Sequence, residues 1–137
     1  MPMSNDRYER GLEKIKRIYG ESWNLEFLDD ISPELRRYTV EFLFGDIYNE
    51  EKLDARSRQI AIVAALTTLG NTNMPLKIHI NGALNVGCSR KEIVEIMNEI
   101  TVYAGFPAAV NGLSIAREVF KERDKKGKQN QTTHSFD

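Results

Sequence analysis

Glycine follows the end of most apolar runs in this chain, and that punctuation limits what it can fold into. Gly20, Gly45, Gly70, Gly87 and Gly105 each come after a stretch whose apolar residues recur every three or four positions. That spacing is one face of a helix, and a residue without a side chain is a natural helix stop. The first run covers about Asn5 to Tyr19, with Tyr8, Leu12, Ile15 and Ile18 in phase. Trp23 to Ile31 is a short apolar connector. Ser32-Pro33-Glu34 is a helix start: serine caps the free amides, proline suits the first turn and glutamate complements the dipole. That helix carries Leu35, Tyr38, Phe42 and Leu43 and should stop near Gly45. Asp54 caps the next, which runs to Leu69. Its stretch Ile60 to Leu66 is apolar on nearly every side, so it is expected to be the most buried helix. Its β-branched residues also allow a strand, but length and alanines favour helix. A helix from Pro75 to Val86 follows. Ser89-Arg90-Lys91-Glu92 is a capping box before Ile93, Ile96, Met97, Ile100 and Tyr103. Pro107 opens the last helix, with Ala109, Leu113, Ala116 and Phe120 on one face. The sequence thus predicts an all-α bundle of about six helices over residues 1–120. The polar segment 121–137 should be a disordered tail.

Composition excludes several classes. The 137 residues can bury a core without disulfides or a structural metal. A formal net charge of −1 lacks the basic excess of a nucleic-acid binder. The one cysteine, Cys88, has no internal disulfide partner, and no Cys/His zinc pattern is present. The start of the chain is charged and no run is long enough to span a membrane, so a cytoplasmic protein without a membrane or nucleic-acid partner is expected. The aromatic stretch Phe42 to Tyr48, added to several apolar helix faces, exceeds what one small domain buries, which predicts a homo-oligomer.

His79 is the first candidate for chemistry, because histidine exchanges a proton near neutral pH without special tuning. A packed core histidine is the competing reading. Arg56 and Arg58 stand in the first turns of a helix, where cations oppose the dipole. They suit a substrate carboxylate, or equally an ion pair with Asp54 or Glu51, or a neighbouring subunit. Tyr103, Phe106 and Pro107 shape a corner around Gly105 and are open to a second role as pocket walls. Cys88, just before a helix start, reads either as a thiol or as packing, with packing ahead. Glu41 and Asp46 read as interface or capping groups. His134 falls in the tail and is incidental.

Together these residues resemble a known family. Leu53-Asp54-Ala55-Arg56-Ser57-Arg58, then Leu76 to Gly87 around His79, then Ser89 to Ile93 and Tyr103 to Ala109, are similar to the carboxymuconolactone decarboxylase family over roughly Tyr8 to Phe120. The resemblance implies an alkylhydroperoxidase D-like fold with a central helical hairpin, assembled as a homo-oligomer, a hexamer or trimer. It also implies cofactor-independent decarboxylation of a carboxylated lactone or related small acid. In that reading His79 is the proton donor, while Arg56, Arg58, Gln59, Tyr103 and Phe106 bind the carboxylate substrate, with no metal. A non-catalytic oligomer that binds small acids is the alternative. The family's thiol-peroxidase branch fits poorly. Where it has a cysteine pair this chain has Gly70 to Pro75 without cysteine, and where it has glutamate this chain has Gln59. A dithiol peroxidase needs one thiolate to attack and another to resolve the sulfenic acid.

Overall fold

The computed structural model describes residues 4–48 and 52–134. It holds seven α-helices, a 3-10 turn and a π-helix, with no strand among the described residues. The all-α class expected from the spacing is what forms. By its internal packing the chain divides into two compact units, residues 1–58 and 59–137.

The first unit contains α1 (Ser4–Tyr19), the 3-10 turn Gly20–Ser22, α2 (Leu28–Ile31), α3 (Pro33–Tyr38) and the π-helix Thr39–Ile47. Ser32 caps α3 as its sequence predicts, accepting from the Leu35 amide at 3.3 Å with Pro33 in the first turn. The helix does not then continue in α geometry. From Thr39 it widens to the i→i+5 pattern, and Val40, Phe44 and Gly45 become its buried residues. Leu35, Tyr38 and Phe42, carried by this stretch, are exposed. Gly45 is therefore no helix stop. A Cβ there would lie 2.4 Å from the Arg7 carbonyl oxygen, and one on Gly11 would lie 2.0 Å from that of Val40. The two glycines let α1 and the π-helix touch backbone to backbone. Beside that crossing Tyr19, Trp23, Phe44 and Tyr48 form a cluster of ring contacts, the closest being Phe44 to Tyr48 at 4.5 Å.

Helix α4 (Ala55–Leu69) has its first turn in this unit. Residues 59–137 comprise the rest of α4 with α5 (Asn73–Asn85), α6 (Arg90–Ala104) and α7 (Phe106–His134). Gly70, Gly87 and Gly105 all have positive φ, which explains why the chain turns at each. The capping box at Ser89 and Glu92 is formed in both directions. Val63, Leu76, Ile80, Ile93, Met97, Ile115 and Val119 build the core. The most buried helix is α5 and not α4. In α4 only Gln59, Val63 and Thr67, on one face, are fully buried, whereas α5 buries Leu76, Ile78 and the run Ile80 to Ala83. The polar segment expected to be disordered from residue 121 continues α7 through His134. Lys77 reaches Glu122 at 2.6 Å, Arg90 holds Asp124 at 2.8 Å, and Arg123 donates to Asn81 at 2.9 Å and Asn85 at 3.1 Å. Each exposed pair is weak alone. Together they tie an apolar-poor segment to α5 and α6.

Candidate functional site

His79 lies at the middle of α5, half-buried, with Ile78 and Ile80 packed into the interior on either side in sequence. Its Nδ1 is 3.1 Å from Oε1 of Gln59, and Gln59 is completely buried. An amide oxygen only accepts, so this contact puts the ring hydrogen on Nδ1. Burial pushes the His79 pKa down to about 4. The imidazole is thus neutral at neutral pH, and Gln59 orients it without adding the charge that a glutamate would bring. A buried glutamine on a helix face otherwise made of Val63 and Thr67 is explained by this bond, since a polar group taken from water needs a partner.

Arg58 lines a cavity of about 340 Å³ inside the first unit, together with Lys14, Arg17, Ile18, Tyr48, Leu53, Asp54 and Ala55. Its guanidinium stacks over the Tyr48 ring, 5.0 Å from the centroid. Asp54 is the cap expected for α4. Its two oxygens accept from the Ser57 amide at 2.8 Å and the Ser57 hydroxyl at 2.9 Å. Those bonds, backbone first, and then the nearby Arg56 charge hold its carboxyl below the usual range. Arg56 is half-buried, and its charge is the smallest of the causes that lower the Asp54 pKa. Glu51, the other acid considered for the arginines, lies outside the described residues. Asp46 is held by Arg7 at 2.6 Å, a structural role.

The structure therefore brings His79 and Gln59 together and puts Arg58 on a cavity. Tyr103 and Phe106 are 77% and 74% exposed on either side of Gly105. Neither lines a cavity of the second unit that is bounded by Ile60, Ala64, Ile96 and three glutamates. Cys88 is buried in the core beside Ile93. Lys14 and Arg17 were not legible as site residues. Two cations three residues apart on a helix look like any solvated face. No group of metal-ligating side chains gathers among the described residues.

The chain belongs to the carboxymuconolactone decarboxylase family, whose model matches residues 33–118. It is 29% identical to the 4-carboxymuconolactone decarboxylase of Acinetobacter baylyi, over 85% of this chain and 88% of that protein. It is 22% identical to the nitrosuccinic acid decarboxylase of Metarhizium robertsii, over 88% of this chain and 85% of that one. An uncharacterized 15.0 kDa protein of Paracoccus denitrificans is 29% identical over 77% of this chain and 79% of its own. At the level of its family the chain is decarboxylase-like, with the alkylhydroperoxidase D-like fold. No helix of the described residues is long and apolar enough to cross a membrane.

Proposed function

We propose that this protein is a cofactor-independent carboxy-lyase acting on a carboxylated lactone or a related small acid, with His79 as the group that delivers the proton. The observation that carries the reading is the bond from Nδ1 of a neutral His79 to buried Gln59, in a chain related to two proteins named as decarboxylases. Decarboxylation breaks the bond between carbon and carboxylate, and the electron pair passes into a conjugated carbonyl as CO2 leaves. A proton must then reach carbon. A ring with a pKa of about 4 is neutral at neutral pH, with its one hydrogen on Nδ1 and none to give from Nε2. Binding an anionic acid raises that pKa, so the ring takes a proton at Nε2 and returns it to the substrate carbon. Gln59 accepts from Nδ1–H in both states and keeps Nε2 pointed. Apolar surroundings favour the step in which carboxylate charge is lost as CO2. Arg56 and Arg58 hold a carboxylate in this reading.

The exposed Val102, Tyr103, Phe106 and Val110 suit burial against further copies of the chain, in the trimer or hexamer that the family likeness implies. In such an assembly Tyr103 and Phe106 become apolar walls. Light scattering that finds only monomer would remove that role. The activity is tested by incubating the purified chain with 4-carboxymuconolactone and following CO2. Release is expected from the wild type and not from His79→Ala. Equal turnover by the variant would take His79 out of the mechanism.

A further inference from the structure

We propose that a second copy of this chain lays its α7 along α6, in register and with opposite charge. Two stripes on the second unit carry the inference. On α6, Glu92, Glu95, Glu99 and Val102 recur at steps of three and four, so they share one helix face. On α7, Val110, Ser114, Arg117 and Lys121 do the same, and all four are exposed. Glu95 and Glu99 are exposed too, and neither meets a cation among the described residues. Arg117 and Lys121 meet no carboxylate there. Acids on the adjoining faces of α7 behave differently: Lys77 holds Glu118 and Glu122, and Arg90 holds Asp124.

The order of the residues decides the fit. Arg90 reaches Phe120 and Asp124, and Met97 lies against Gly112, so α6 and α7 form an antiparallel hairpin. A neighbouring α7 set beside α6 at the same level brings Val110 to the exposed Val102 and Tyr103. It also brings Ser114 to Glu99, Arg117 to Glu95 and Lys121 to Glu92. Apolar meets apolar and cation meets carboxylate, with no slide along the helices. Copies related by rotation alone can close into a ring, whereas a slide builds an open filament. The approaching helix also has a seat. A groove of about 360 Å³ lies between α4 and α6, lined by Ile60, Ala64 and Ile96 and by the three glutamates. A helix laid there covers its apolar residues. The contact rests on the oligomer proposed above and adds which faces meet.

The test is sedimentation equilibrium of the full chain and three variants. The wild type should associate. Glu95→Lys/Glu99→Lys sets cation against cation across the contact, and Arg117→Glu/Lys121→Glu sets acid against acid. Each double variant should weaken association by about tenfold or more. Combining all four substitutions restores opposite charges with the signs exchanged, so association should return toward that of the wild type. A double variant that had merely misfolded would not be rescued by two further substitutions. Association unchanged in both double variants, or a combined variant no better than either, would overturn this contact and leave the oligomer standing. A wild type that stays monomeric at every concentration would remove both.

Discussion

Protonating His79 should destabilise this protein's second unit at a pH where most helical domains lose little. Burial lowers the folded-state pKa of His79 to about 4 from an ordinary 6.5. The unfolded state therefore binds the proton more readily, and folding stability rises with pH through the window between those values. Above about pH 7 the contribution is fully present, because the ring is neutral in both states. As the pH falls it is progressively lost, by about 1 kcal/mol at pH 6 and about 2 kcal/mol at pH 5. The loss levels off near 3 kcal/mol once the folded ring is protonated too, below about pH 4. That is a large share of a typical domain's stability of about 5–15 kcal/mol. The assay compares wild type with the non-titrating His79→Gln in urea, by far-UV circular dichroism, because Trp23 reports on the other unit. The gap between the two proteins should shift by about 2 kcal/mol between pH 7.5 and pH 5, the wild type losing more. Titration of the imidazole carbon signals by NMR gives the pKa directly. A gap that does not change with pH, or a midpoint near the ordinary value, would refute the burial argument.

Other expectations follow from the same contacts. Gln59→Glu puts a carboxylate against Nδ1 and should raise the His79 pKa, read from the same NMR signals, while Gln59→Leu should free the ring to rotate. Turnover should fall in Gln59→Leu with the pH profile displaced. Gly45→Ala drives a Cβ toward the Arg7 carbonyl and should cost about 3 kcal/mol, outweighing the roughly 1 kcal/mol gained in helix propensity. Urea unfolding followed by Trp23 fluorescence measures it, and a neutral substitution would mean that α1 and the π-helix do not touch. Ser89→Ala removes one half of the capping box and should cost about 1 kcal/mol, read from urea unfolding by far-UV circular dichroism. Arg123→Ala leaves the Asn81 and Asn85 oxygens without that donor, so amide exchange along residues 121–129 should accelerate.

Much of the fold could be read from residues whose meaning is local. Ser32 with Pro33, the Ser89 and Glu92 box, and the turns at Gly70, Gly87 and Gly105 each depend on a few neighbouring side chains and backbone angles, and all formed where expected. Gly45 misled because its glycine serves a distant carbonyl, not a turn. The burial ranking of α4 and α5 misled for a related reason. An apolar composition says that a helix can be buried, while only its neighbours decide which face is.

His79 could be marked as a candidate from the sequence because a histidine among isoleucines is conspicuous whatever surrounds it. Its protonation state was not legible, since desolvation and the amide of Gln59, twenty residues earlier, arrive only with the packing of α4 against α5. The tail shows the same division. Its lack of apolar residues was plain, but partners on α5 and α6 keep it helical through Arg123 and Asp124. The sequence by itself determined the helical class, most helix boundaries and the family, because those rest on short-range periodicity and capping. Tertiary structure alone decided the charge on His79 and the gathering of Lys14, Arg17 and Arg58, because burial and convergence are properties of distant residues brought together.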